Sequence, residues 1–249
     1  MRVTILGAGT AIPARDHSPA GVCVQAAGER VLLDAGPGTA QRLLAAGVTL
    51  FDLDRIFLTH YHLDHCLDLA SILFALRIPD PSRTKPLTVY GPPGLKRLYR
   101  RLNAAFHGWL TPRRYALTLK ELRETTLKLR GYTVATRWMR HSAPALGYRL
   151  TAGNASLAYS GDTDACQGIV ELGRNARVLI LECSTPDARK VEGHLTPTAC
   201  GEIAEAANCR HLVLTHFYPV FKGYDIRRRV RRAFRGRVTL ARDLTTASL

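Results

Sequence analysis

The sequence predicts an α/β fold whose chemistry gathers at strand ends, and three observations predict it. Short apolar runs alternate with amphipathic ones along the chain. Five of those apolar runs stop at a residue able to hold a metal or move a proton. The composition, 46% hydrophobic and 22% charged over 249 residues, is that of a globular chain, and a single domain over residues 1–249 is expected.

Val3–Leu6 reads as the first strand. Gly7-Ala8-Gly9-Thr10-Ala11-Ile12-Pro13 behind it is a tight turn, because a dinucleotide fingerprint needs a third Gly and a helix start where Ile12-Pro13 stands. Val22–Gln25 and Arg30–Leu33 are short strands joined across Ala27-Gly28. The second stops at Asp34, ahead of Ala35-Gly36-Pro37-Gly38 and a small helix over Gln41–Ala46. Asp34 there either supports a neighbouring ligand or caps that helix.

Arg55–Thr59 is nearly all apolar, as for a strand buried on both faces, and it delivers His60. Leu63, Cys66, Leu67, Ala70, Leu73, Phe74 and Arg77 then recur at helical spacing, which packs a helix directly behind the histidines. Residues 78–86 form a proline-broken loop, Leu87–Tyr90 a strand, and Gly91-Pro92-Pro93-Gly94 a turn into a helix ending near Phe106. The stretch 107–137 is the least legible, with strand-like runs at Thr126–Leu129 and Val134–Trp138, and His107 receives no role.

Beyond it the pattern of strand followed by ligand-type residue repeats. His141 stands at a strand end and Gly147–Leu150 opens the next strand; Ser156–Ser160 leads to Asp162, Val178–Leu181 to Glu182 and His211–Thr215 to His216. Gly193-His194-Leu195-Thr196-Pro197 precedes a helix over about Thr198–Ala207, with Thr196 and Pro197 as N-cap and first helical residue. Residues 225–237 hold seven Arg in thirteen positions, with Ile226, Val230 and Phe234 four apart, the pattern of an amphipathic helix with an arginine-rich outer face.

The densest chemistry is Thr59-His60-Tyr61-His62-Leu63-Asp64-His65, three imidazoles and a carboxylate in six positions. Imidazole nitrogen and carboxylate oxygen suit zinc or manganese, and with no accompanying cysteine cage the site is of catalytic type. His60 and His62, two apart, leave an extended segment on one side and can grip one ion; Asp64 and His65, beyond a turn, are free to face a second.

Lys plus Arg number 35 against 20 Asp plus Glu, a net charge of +15 and a pI near 10.1. That balance favours polyanionic partners: nucleic acid, phosphorylated substrates or an anionic membrane face. Six scattered cysteines without a C-x-x-C pair, and no leader pattern at the start, make a reduced cytoplasmic compartment the expectation. No apolar run reaches the length of a membrane span.

The ordered set H-x-H-x-D-H, His141, Asp162 and His216 resembles the ligand pattern of the metallo-β-lactamase superfamily over essentially the whole chain. Further stretches resemble its RNase Z branch: Leu-Gly-x-Gly-Thr-Ala-x-Pro at the start, Asp34 in Leu-Leu-Asp-Ala-Gly, His141 shortly before Leu-Gly-Tyr-Arg, and Ser-Gly-Asp-Thr. Glu182 in Leu-Glu-Cys-Ser-Thr, His194 in Gly-His-Leu-Thr and His216 in Leu-Thr-His-Phe-Tyr-Pro complete the match.

The resemblance implies an αββα four-layer sandwich with two zinc ions, or manganese in their place, at the strand-end rim. His60, His62 and His141 would hold one ion, Asp64, His65 and His216 the other, and Asp162 would bridge them. A water shared by two such ions has its pKa lowered toward about 7, which makes a hydroxide nucleophile available at neutral pH. His194 would protonate the leaving group and Glu182 would position it, so His194, Glu182 and Asp64 are the catalytic candidates. The implied substrate is a phosphodiester, RNA included, and a homodimer follows by analogy with the same branch.

Two features depart from the branch. Only twenty residues separate His141 from Asp162, room for a hairpin and not for the long tRNA-clamping arm, so the resemblance is to a short, armless form. Leu63 stands where Gly is common. Two other functions fit the same residues: a carbonyl-ester hydrolase, such as a lactonase or thioesterase, and a nucleic-acid-binding protein with structural metals and a working arginine-rich helix.

Overall fold

The computed structural model describes residues 1–79, 83–221 and 223–249. The first half of the chain runs β1 (Arg2–Gly7), β2 (Gly21–Ala26), β3 (Glu29–Leu33), α1 (Thr39–Ala45), β4 (Leu53–Phe57), α2 (Leu63–Cys66), α3 (Asp68–Arg77), β5 (Leu87–Gly91), α4 (Leu95–Ala105) and β6 (Leu117–Glu121). The second runs β7 (Thr125–Leu129), β8 (Tyr132–Met139), β9 (Ala145–Ala152), β10 (Ala155–Tyr159), α5 (Gln167–Gly173), β11 (Val178–Glu182), α6 (Pro197–Ala206), β12 (His211–Thr215), α7 (Ile226–Val230), β13 (Arg237–Leu240) and β14 (Thr245–Ser248).

These strands build two seven-stranded sheets, ordered β14-β1-β2-β3-β4-β5-β6 and β13-β12-β11-β10-β9-β8-β7. Each has an antiparallel part and a parallel part. β14, β1, β2 and β3 pair antiparallel and β3 through β6 parallel. β7 through β10 pair antiparallel and β10 through β13 parallel.

Period-two alternation decides which side each residue takes. In β3, Val31 and Leu33 point between the sheets, where they join Phe57, Leu146, Tyr148, Ile180 and Val213. Leu32 points outward, into a layer closed by Leu43 of α1 and Leu69, Ile72 and Leu73 of α3. In β11, Val178 and Ile180 face inward, while Leu179 and Leu181 pack outward beneath α5, α6 and α7. A strand apolar on both faces thus feeds two cores, and the layers stack helix, sheet, sheet, helix, as expected for the αββα sandwich.

Several elements depart from the expectation. The helix behind the histidines is split at Leu67 into α2 and α3. β6 lies in the illegible stretch; Thr118 and Lys120 are exposed, as suits the edge of a sheet. The loop over 78–86 lies partly outside the described residues. The arginine-rich helix is five residues, not thirteen: after Val230 the chain turns to bury Phe234, and Arg237 already pairs with His211 in β13. Among the described residues no helix is long and apolar enough to cross a membrane.

The start of α6 is capped differently from the expectation. Thr196 and Pro197 do occupy the N-cap and first helical positions, but the Thr196 side chain makes no cap bond. Asp187 does the work: its Oδ1 accepts from Thr198 N at 3.1 Å, and its Oδ2 accepts from the hydroxyls of Thr198 at 2.9 Å and Tyr224 at 2.7 Å. Partial burial pushes the Asp187 pKa up, but these donors outweigh it and hold the carboxyl below its ordinary range. Such a carboxylate stabilises fully above its unfolded pKa of about 3.9, and the contribution is lost as pH falls through the depressed folded value. Asp187→Ala should therefore cost about 1 kcal/mol at pH 7 in urea unfolding. The gap from wild type should close below pH 4; a constant gap would mean that the charge is irrelevant.

Candidate active site

Four parallel strands of the two sheets deliver functional residues at their C-terminal ends: β3 to Asp34, β4 to His60, β11 to Glu182 and β12 to His216. β10 adds Asp162. Open α/β sheets place chemistry on this rim.

Asp34 is fully buried, with φ at 59°. Its Oδ1 accepts from Thr59 N at 2.7 Å, and its Oδ2 accepts from Thr59 Oγ1 at 2.9 Å, His65 Nδ1 at 2.8 Å and Tyr159 Oη at 2.8 Å. That settles its two sequence readings: α1 has no side-chain cap, and Asp34 instead fixes His65 with its Nδ1 protonated and Nε2 aimed at the site. The turn after Asp34 closes against the ligand loop so tightly that a Cβ at Gly36 would lie 2.0 Å from Asp64 O.

The structure brings all seven sequence-predicted ligands together. His60, His62, His141 and Asp162 offer ligand atoms within 4.8 Å of one another, and so do Asp64, His65 and His216. Asp162 lies between the sets: its Oδ1 is 3.2 Å from His65 Nε2 and 3.4 Å from His216 Nε2, and its Oδ2 is 3.7 Å from His60 Nε2 and 3.9 Å from His141 Nε2. Asp64 Oδ2 stands 3.4 Å from His216 Nε2. His141 donates Nδ1–H to Gly193 O at 2.9 Å, which leaves its Nε2 lone pair toward Asp162.

Glu182 and His194 meet as expected, with Nδ1 donating to Oε1 at 3.0 Å. Glu182 Oε1 also accepts from Thr163 N at 2.8 Å. Ser184 was missed as a functional residue. Its hydroxyl donates to Glu182 Oε2 and accepts from His216 Nδ1 at 3.1 Å, so one carboxylate organises both His194 and His216. The available signal was its spacing, two residues past Glu182 in an extended segment. Thr59 and Tyr159, the hydroxyl donors to Asp34, were missed as well.

The electrostatics match the geometry. Burial, and then the charge on His65, push the His60 pKa well below its ordinary value and keep the ring neutral, the form that ligates. Burial also lowers the His62 pKa, helped by His141. For Asp64 burial acts upward, but the His216 hydrogen bond and the two nearby imidazoles bring its pKa down to about 2. For His194 burial acts downward and is outweighed by the hydrogen bond and charge of Glu182, which raise its pKa and favour the protonated ring.

This donor set fits divalent cations. His60 Nε2 and Asp162 Oδ1 are buried with no hydrogen-bond partner, a costly state for polar atoms. His65 Nε2 and His216 Nε2 lie 3.3 Å apart while each ring donates Nδ1–H elsewhere. Burial acts downward on the His65 pKa, but the Asp162 and Asp34 carboxylates outweigh it and raise it well above its ordinary value, so without a cation this cluster favours a proton where a divalent ion would bind in its place.

Residues 29–217 match the family described as Beta-lactamase superfamily domain. A ribonuclease Z of Mycobacterium sp. strain KMS is 30% identical over 269 residues, covering 98% of this chain and 94% of its own. The short form of human tRNase Z superposes with a TM-score of 0.82 at 26% identity, covering 100% of this chain and 99% of that one. A metallo-β-lactamase fold protein of Bacillus subtilis shares the fold with a TM-score of 0.85 at 23% identity, over 99% and 98% of the two chains. The chain belongs to the metallo-β-lactamase superfamily of divalent-metal hydrolases, on its ribonuclease Z branch.

Proposed function

We propose that this protein is a dinuclear zinc-dependent phosphodiesterase that cleaves RNA. The observation that supports it most directly is Asp162, whose two oxygens each face a separate set of imidazoles. In this reading His60, His62 and His141 would hold one ion, Asp64, His65 and His216 the other, with Asp162 shared between the two sets. Bound there, such ions would supply Lewis acidity for hydrolysis of a phosphodiester.

The remaining work falls to the chain itself. His194 keeps Nδ1–H on Glu182 and delivers the proton on Nε2 to the leaving oxygen. Asp34, Ser184 and Gly193 O fix the rings of His65, His216 and His141 through their second nitrogens. Lys96, Arg97, Arg100 and Arg101 are exposed on α4, and Arg228, Arg231 and Arg232 on and just after α7, a surface suited to phosphate chains. α4 starts against the ligand loop, where the Tyr61 hydroxyl donates to Pro92 O.

The test is metal analysis together with cleavage of a precursor tRNA beside bis-p-nitrophenyl phosphate. Two zinc ions per chain are expected, with cleavage abolished by a chelator and restored by zinc. Two bound ions with no diester cleavage, while a thioester or lactone is hydrolysed, would replace this reading with a carbonyl-ester hydrolase.

The arginines give a separate prediction. Arg227 already donates to Val238 O at 2.8 Å and Arg231 to Arg235 O at 3.2 Å, so among the described residues Arg228, Arg232 and Arg235 are the ones available for phosphates. Neutralising those three should reduce the slope of log K against log salt for RNA binding by about 2, at roughly 0.7 per single-strand phosphate contact. Hydrolysis of the small diester should be unchanged, and equal losses in both assays would count against a guiding surface.

A further inference from the structure

Lys190 is half outside the site and belongs to no motif discussed above, yet all three of its donors are in use. Its Nζ donates to Asp164 Oδ2 at 2.7 Å, to Val191 O at 2.8 Å and to His194 O at 2.7 Å. Asp164 Oδ2 also accepts from Gly193 N at 3.3 Å, and Asp164 N donates to Arg140 O at 2.7 Å, beside His141. The Gly193 peptides are therefore held from several directions. Asp164 takes the N–H of Gly193, His141 takes its carbonyl, and Lys190 takes the next carbonyl, that of His194. Gly193 itself sits at φ 81°, where a Cβ would meet His141 Nδ1 at 3.1 Å, so the turn has little slack.

We propose that Lys190 and Asp164 form a positioning clamp that sets the 191–194 turn, and through it both the His194 ring and the orientation of His141. The clamp rests on the phosphodiesterase reading for the role of His194; its hold on the turn does not. Magnitudes separate positioning from stability. The Lys190 side chain is 39% exposed, and an ion pair so placed contributes little to folding. A catalytic group displaced by about 1 Å, in contrast, can lose about 10²-fold in rate.

Lys190→Met, Lys190→Arg and His194→Ala should be compared in two assays. In hydrogen exchange on the metal-free protein, the hydrogen-bonded amides of this turn, Gly193 and His194, should exchange at least about tenfold faster in Lys190→Met than in wild type, with Tm lowered by less than about 4 °C. On a precursor tRNA transcript with zinc-loaded protein, Lys190→Met should lower kcat by about 10- to 100-fold at nearly constant KM. Lys190→Arg, which keeps charge and donors, should restore most of that loss. In a His194→Ala background Lys190→Met should cost much less than in wild type, only what it still takes from the placement of His141.

Unchanged exchange in the 191–194 turn overturns the clamp whatever the enzyme does. Faster exchange with an unchanged kcat, while His194→Ala is impaired, overturns the positioning of His194. Faster exchange in a protein that cleaves no diester supports the hold on the turn and removes the phosphodiesterase reading instead.

Discussion

Asp34→Asn is expected to destabilise the metal-free protein by about 3–5 kcal/mol in chemical unfolding, the usual cost of breaking one side of a buried charged network. The side chain keeps its volume, so packing is not the cause. Oδ2 accepts three hydrogen bonds and Oδ1 one, all of them buried. An amide can present its oxygen to only one side, and its NH2 group must then face donors, leaving at least one buried group unpaired. The His65 ring loses its anchor in the same change, so zinc affinity should fall by about 10- to 100-fold. A loss below 1 kcal/mol, with zinc affinity intact, would show that Thr59 and Tyr159 can turn to other partners.

His194→Ala is expected to slow cleavage of a precursor tRNA by about 10²–10⁴-fold, the range for loss of a placed general acid. The leaving group sets the contrast. A ribose oxygen departs as a strongly basic alkoxide and needs a proton, whereas a nitrophenolate leaves readily without one. The same variant should therefore keep most of its activity on bis-p-nitrophenyl phosphate. A comparable loss on both substrates would assign His194 to binding or to the metals, and no loss on RNA would remove it from the reaction.

The parts of this molecule that sequence reasoning reached are those governed by periodicity or by dense chemistry. β3, β4, β10, β11 and β12 are short apolar runs that fill a core on each face, and each visibly ends at a polar residue. The six-residue cluster from His60 to His65 is conspicuous because so many ligand-type side chains rarely crowd together by chance. Three of the four edge strands escape such reasoning, β7 being the exception: β6, β13 and β14 are rich in Thr, Lys and Arg, and their pairing is decided by which neighbour has an open ladder. The arginine run looked helical from Ile226, Val230 and Phe234 at spacing four, but Phe234 is buried after a turn instead of on a helix face. Hydroxyl groups carry little pattern beyond the spacing of Ser184 behind Glu182. Ser184, Thr59 and Tyr159 acquire their roles only when strands from distant parts of the chain put them beside a carboxylate.

The two sheets also divide the site between them. His60, His62, Asp64 and His65 ride on the layer begun by β1, while His141, Asp162 and His216 ride on the layer of β7 through β13. In the proposed dinuclear site neither half of the polypeptide would own a complete coordination sphere, so cation capture would be a signature of the halves having docked. In a loosened, molten form that keeps its secondary structure, both cations should depart together at the moment the layers slide apart, and their release would clock that event earlier than any loss of helix or strand.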